Sequence, residues 1–192
     1  MKIAHFPGSF LPQIGGAEII VHNLALAQAN DGHLVHVIAP SRSKAFLKKH
    51  SINIPYKIIS PFLKSFSITE KMSNVNLSID WLLEKQVEYF QLKYNYDLWH
   101  FNLIGPNGLK AVRVLKKLGI PTIGTFRGED IQIYPEVSYG LRKEKRFDDL
   151  IKNNIHLFDC LTAISKTVEL EYIKLGINKN KIKLVPNFIN LV

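Results

Sequence analysis

Apolar positions along the chain alternate between two spacings. Short runs rich in β-branched and aromatic residues, "KIAHF" (2–6), "LVHVIA" (34–39) and "YKII" (56–59), read as strands. Between the first two, Ala17 to Ala29 carries apolar residues at helical spacing, with Gly32 as a stop. A long helical stretch from about Ile68 to Tyr94 follows the third run, and "DLWHF" (97–101) reads as the next buried strand. "GPNGLKAVRVLKKLG" then predicts a helix from about Asn107 to Leu118, closed by Gly119. Further strands are expected in "IPTIGTF" (120–126), "CLTAIS" (160–165) and "IKLVPN" (182–187). The helices between them span roughly Gly140 to His156 and Lys166 to Leu175. Strands alternating with helices of this length predict parallel β-α-β units, hence an α/β domain: a mostly parallel, doubly wound, twisted sheet with helices on both faces. In such a sheet ligands bind at the carboxyl ends of the strands, near the point where strand order reverses. Functional residues are therefore expected just after the strands.

Composition narrows this picture in three ways. With 192 residues, 46% of them hydrophobic, the chain can build one sizeable core, and a single domain over 1–192 is expected. The one cysteine, Cys160, excludes a disulfide framework, and no C-x-x-C or closely spaced His/Cys set suggests a structural zinc. The opening "MKIAHFPGSF" is broken by His5, Pro7 and Gly8 before it could form a signal-peptide core, and no run reaches the roughly 20 apolar residues of a membrane span. A cytoplasmic protein is the expectation. The formal charge is +9, and from Ser41 to Lys64 the chain holds Arg42, Lys44, Lys48, Lys49, Lys57 and Lys64 with no acid. Such a segment is either a solvated face or a patch that attracts phosphates or an anionic membrane. No nucleic-acid module accompanies it, so nucleic acid is not expected as a partner.

Three loops carry candidate chemistry. In "PGSFLPQIGGAE", Gly15 and Gly16 open a helix whose unpaired N–H groups and dipole suit a phosphate. The spacing is neither G-x-G-x-x-G nor a P-loop, and a tight packing turn is the competing reading. In "HFNLIGPNG", His100 and Asn102 stand at a strand's carboxyl end, where a histidine can donate to a hydroxyl or phosphate, transfer a proton near neutral pH, or satisfy a core hydrogen bond. In "TFRGEDI", Arg127 offers a bidentate fork for phosphate or carboxylate, or pairs with Glu129 or Asp130, while Asp130 caps a turn. Ser165 reads as a helix N-cap. No Ser/His/Asp triad, carboxylate dyad or metal cluster can be assembled from these loops.

Taken in order, "P-x-x-G-G-A-E" (Pro12 to Glu18), "DLWHFN" (Asp97 to Asn102), "GPNG" (Gly105 to Gly108), "TFRGED" (Thr125 to Asp130), Ile164-Ser165 and "KIKLVPNFIN" (Lys181 to Asn190) resemble the N-terminal half of a family 4 glycosyltransferase. Enzymes of that family have the GT-B fold of two Rossmann-like domains. The resemblance implies an acceptor-binding domain of a retaining enzyme that moves a sugar from a nucleotide-sugar donor to a glycan or lipid-linked acceptor, in cell-surface polysaccharide or glycolipid synthesis. It implies Gly15 and Gly16 as donor-phosphate contacts, His100 and Arg127 as the catalytic pair near the sugar, and Asn102, Glu129 and Asp130 as acceptor or sugar contacts. No metal or other cofactor is expected. Two residues depart from the common pattern: Asn102 stands where many relatives have the second histidine of D-x-x-H-x-H, and Arg127 where many have histidine. The donor-binding C-terminal domain is expected to be absent, so that this chain needs a complementing domain for activity, with peripheral contact at the inner membrane face. The competing expectation is a non-catalytic binding module on a membrane or protein partner. A nicotinamide-dependent enzyme is disfavoured by the missing fingerprint.

Overall fold

The computed structural model describes residues 1–61 and 77–187. Seven strands form one parallel sheet: β1 (Lys2–Pro7), β2 (Leu34–Ile38), β3 (Lys57–Ile59), β4 (Leu98–Asn102), β5 (Thr122–Phe126), β6 (Cys160–Ala163) and β7 (Ile182–Leu184). Their spatial order is β3-β2-β1-β4-β5-β6-β7, so strand order reverses between β1 and β4. That pair is in register from Ile3 opposite Leu98 to Pro7 opposite Asn102. The two outermost strands are three residues each.

Alternation along each strand divides the core into two layers. Ala4 and Phe6 of β1, Trp99 and Phe101 of β4, Phe126 of β5 and Leu161 of β6 point to one face. Helices α3 (Leu77–Tyr94), α4 (Pro106–Lys117), α5 (Lys145–Asn154) and α6 (Lys166–Lys174) pack there through Val87, Leu109, Ile151 and Tyr172. Ile3, Val35, Val37 and Ile58 point to the other face, against Val21 and Ala25 of α1 (Gly16–Asn30) and Leu47 of α2 (Ser41–Lys49). His100, Asn102 and Thr125 alternate with the first set, so these three polar residues lie on the α1 side.

The expected doubly wound parallel sheet is present, with differences at its elements. Helix α2 was not expected from the sequence; it is short and strongly basic, and among its residues Ser43 and Leu47 are buried. The helix expected over 140–156 is three pieces: single turns of 3-10 helix at Leu141–Lys143 and Ile155–Leu157 flank α5. Gly140, at φ 105°, and extended Glu144 interrupt the helical path. The strands expected to run to Ser165 and Asn187 end at Ala163 and Leu184, where the chain turns into the site. Of the long helix expected from Ile68, Leu77 onward is α3, and the part before it lies outside the described residues.

Trp99 is fully buried and donates its indole N–H to Gln91 Oε1 of α3 at 2.7 Å. Truncating it would open a large void and strand a buried amide. Trp99→Ala is expected to lower unfolding stability by about 3–5 kcal/mol in urea titrations, with little change in a Leu92→Ala control, whose side chain is exposed.

Candidate functional site

The loops after β1, β4 and β5 are tied to one another by backbone contacts. Gly8 donates its N–H to Asn102 O at 2.9 Å. A Cβ on Gly8 would stand 2.0 Å from Leu103 O, so these loops lie backbone against backbone and residue 8 admits no side chain. Leu103 takes φ 50°, a left-handed conformation unusual for leucine. It turns the chain so that Ile104 N–H meets the carboxylate of Asp130 at 2.8 Å.

Asp130 gathers this corner. One oxygen accepts the N–H groups of Arg127 at 2.7 Å and Gly128 at 3.0 Å, the other that of Ile104. The residue is fully buried. Burial pushes its pKa up to about 6, against the pull of those N–H groups. Both oxygens face backbone, so the observed role of Asp130 is to fasten the β4 and β5 loops.

Arg127 is the centre of what remains. Its Nη2 donates to Asn102 Oδ1 at 2.7 Å and its Nη1 to Asn187 Oδ1 at 2.6 Å, so the guanidinium bridges the ends of β4 and β5 and the segment after β7. The alternative of a simple ion pair with Glu129 or Asp130 does not hold: no carboxylate lies within salt-bridge distance among the described residues, and Asp130 bonds only the backbone of Arg127. Arg127 Nε and Asn102 Nδ2 are both buried donors without an acceptor. Leaving buried donors unmet is costly; the accessible part of the guanidinium is Nη1, on the side of Asn187.

His100 sits behind this point rather than in front of it. Its Nε2 is 2.7 Å from Thr125 Oγ1, which bonds in turn to Thr162 Oγ1 on β6. Its ring lies 5.3 Å from that of His5, whose Nε2 donates to Gln28 Oε1 of α1. Burial, then the neighbouring His5 and Arg127, push the His100 pKa well below 6.5. Burial thus favours the neutral imidazole, which bonds Thr125, the core hydrogen bond that is one of the readings open from the sequence. Glu129 is exposed, and its carbonyl accepts the N–H of Leu141 at 2.8 Å.

Gly15 is the N-cap of α1, in extended conformation at φ −147°, with no side chain capping the helix. A Cβ on Gly16 would meet nothing within 4 Å, while one on Gly15 would approach the movable Glu18 carboxylate at 2.6 Å. Neither glycine is demanded by backbone angle. What they leave is an uncapped helix start at the carboxyl edge of the sheet, with open space before Gly16. Ser165, in contrast, caps α6 by accepting Val168 N–H at 3.3 Å. The sequence assigns no site role to Asn187, Gly8 or the Thr125–Thr162 pair, although Asn187 and Thr125 lie within segments that carry the resemblance. A Gly directly after the first strand was the signal for Gly8, but nothing local marks the others. Among the described residues no group of three or more His, Cys, Asp and Glu could hold a metal, and no helix is long and apolar enough to cross a membrane.

Comparison with known proteins gives a consistent result. The sequence pattern of Glycosyltransferase Family 4 matches residues 14–192. No curated protein sequence matches. Among solved structures, Anabaena Alr3699/HepE in complex with UDP is similar with TM-score 0.60 and 20% identity over 99% of this chain and 45% of its own. The apo lipopolysaccharide outer core galactosyltransferase WaaB gives TM-score 0.64 and 18% identity over 100% and 47%. UDP-GlcNAc 2-epimerase from Neisseria meningitidis bound to UDP-GlcNAc gives 0.63 and 13% over 97% and 46%. The chain thus spans less than half the length of each, and at these identities the likeness is one of fold.

The buried titratable groups make stability depend on pH. His5 is lowered to about 4 and His100 is also lowered, both chiefly by burial, so between about 4 and 6.5 these histidines bind fewer protons in the folded state than in the unfolded chain. Their contribution is complete above pH 6.5 and is lost as pH falls through the folded values. Asp130, raised from 3.8 to about 6, opposes them, its contribution falling as pH rises through that window. The lowered His22 and His36 side with His5 and His100. The urea midpoint is expected to be higher at pH 7 than at pH 5. Asp130→Asn should lower it at both, by about 1–3 kcal/mol of stability, and steepen the rise with pH by removing the opposing term.

Proposed function

The chain belongs to Glycosyltransferase Family 4, and from that premise we propose that it is the acceptor-side half of a retaining transferase that moves a sugar from a nucleotide-sugar donor to a hydroxyl of a glycan or lipid-linked acceptor. A second, donor-binding domain holds the nucleotide across a cleft from the carboxyl edge described above. The observation that carries this reading is the Arg127 guanidinium, held at the carboxyl edge between Asn102 and Asn187 with no carboxylate on it among the described residues. A cation so placed suits phosphate or the hydroxyl-rich face of a sugar.

In the reaction the bond from the anomeric carbon to the donor diphosphate breaks while the acceptor oxygen bonds to that carbon on the same face. The acceptor's proton passes to the departing phosphate oxygen. Negative charge grows on the diphosphate, and the uncapped N–H groups at Gly16 and the dipole of α1 meet it. Arg127 adds fixed positive charge at the strand ends. Neutral His100 acts through Thr125 as a positioning residue. Two of the similar structures are described with UDP or a UDP-sugar bound, which favours a nucleotide-sugar as donor here.

A peripheral membrane contact is a second part of the proposal, carried by α2: Arg42, Lys44, Lys48 and Lys49 are all exposed on one helix of nine residues. Basic residues beside an anionic surface gain about 1 kcal/mol each. A contact there would hold the domain near acceptors carried on lipid.

Two measurements test these readings. Pyrophosphate titrated into the isotope-labelled chain is expected to shift the amides of Gly16 and Ala17, and Arg127→Ala to weaken the interaction by about tenfold or more; unmoved α1 amides would remove the diphosphate site. In flotation with phosphatidylglycerol vesicles, the chain is expected to rise with the lipid and the Lys48→Glu/Lys49→Glu double variant to stay behind. Equal flotation of both would sink the α2 contact.

A further inference from the structure

After the β5 loop the chain builds a projection that exposes two tyrosines. Tyr134 and Tyr139 remain 37% and 38% exposed, with ring centroids 5.8 Å apart and planes inclined by 36°. They are held by a reciprocal pair of backbone bonds, each N–H donating to the other's carbonyl at 3.1 Å. A turn of 3-10 helix at Pro135–Val137 and left-handed Ser138 close the loop between them.

The base of the projection is fixed as firmly as its tip is open. Gly140, at φ 105°, passes so near the incoming chain that a Cβ would stand 2.1 Å from Gln132 O. Buried Arg142 donates to Ile131 O at 2.9 Å and pairs with Asp148 of α5 at 2.7 Å and Glu171 of α6 at 3.3 Å. Ile131 is fully buried beneath it, next to the Asp130 fastening. Ordering a loop costs about 1–2 kcal/mol of backbone entropy per residue, and exposed rings return little of it through burial. Stability of the domain therefore does not account for two aromatic side chains displayed on so rigid a frame.

From this geometry we infer that Tyr134 and Tyr139 form a stacking platform for a pyranose ring of the acceptor, with Glu129 and Gln132 reading its hydroxyls; the inference rests on the glycosyltransferase reading above. The negative face of an aromatic ring attracts the slightly positive C–H groups that line one face of a pyranose. The hydroxyls at the sugar's rim need donors and acceptors, and these stand around the rings. Gln132 Nε2 donates to Tyr134 Oη at 3.1 Å, leaving the amide oxygen as an acceptor. Glu129 is exposed and close enough to Tyr139 to help burial raise its pKa. Tyr139 Oη lies against Gly128, where a Cβ would be 2.9 Å away, so the platform adjoins the residue that follows Arg127. Val137 and Leu141 are also exposed on this projection, but Glu136 and Lys143 interrupt the apolar surface around the rings, and Glu129 and Gln132 beside them suit a hydroxylated ligand better than an apolar partner.

Saturation-transfer NMR with methyl β-D-glucopyranoside, methyl β-D-galactopyranoside and N-acetylglucosamine tests the inference on the 192-residue chain. At least one sugar is expected to receive saturation on its axial ring protons. Tyr134→Ala and Tyr139→Ala should each weaken binding roughly fivefold to tenfold, while Tyr134→Phe and Tyr139→Phe keep most of it. Circular dichroism and pyrophosphate titration of the same variants report whether the fold and the α1 site are intact. Transfer to no sugar, or equal transfer in the alanine variants, overturns the platform even if pyrophosphate still shifts Gly16. Sugar binding that depends on the tyrosines, without any response to pyrophosphate, upholds the platform and overturns the diphosphate site instead.

Discussion

A single buried carboxylate organises the carboxyl edge of this domain. Asp130 accepts three backbone N–H groups, from Arg127, Gly128 and Ile104, and so joins the loops after β4 and β5. Withdrawing a carboxylate from water is unfavourable, and its raised pKa records that cost. The three charge-assisted hydrogen bonds offset it, and they do so only in one loop geometry. That geometry sends the Arg127 side chain away from its nearest acid and onto Asn102 and Asn187. It also sets the start of the projection that carries Tyr134 and Tyr139.

Behind the edge, a polar row runs across four strands on the α1 side: His5, bonded to Gln28 of α1, then His100, Thr125 and Thr162. Burial keeps both imidazoles neutral, so Arg127 faces no competing cation from them at neutral pH. The row gives the strand ends a fixed lateral spacing, whereas the hydrophobic layer of Trp99, Phe101, Phe126 and Phe158 sets their depth. Site and core are thus two sides of the same strands.

Periodicity made the sheet legible, because strands buried on both faces and helices of ordinary length leave strong signals. Helix α2 escaped because its nine residues bury little beyond Leu47, so no apolar rhythm marks it. The helix over 140–156 was read as continuous because a positive φ at Gly140 is not visible in hydropathy. In the site, "TFRGED" pointed to the right corner, but residue types could not say which acid was buried. Asp130 and Glu129 are adjacent in sequence and opposite in environment, one fully buried and one exposed. Asn187 reaches Arg127 across 60 positions, a contact that only the fold creates.

The sheet's outermost strands have a bearing on the protein's behaviour at high concentration. β3 and β7 are three residues long, and each carries an exposed lysine, Lys57 and Lys183. An edge strand offers unpaired backbone groups to any neighbouring chain, and a long flat one templates edge-to-edge growth. Strands this short present too few such groups to recruit a partner strand, and a lysine on each sets like charge against like when two copies meet. Self-association through β3 and β7 is therefore disfavoured by the chemistry of the strands themselves.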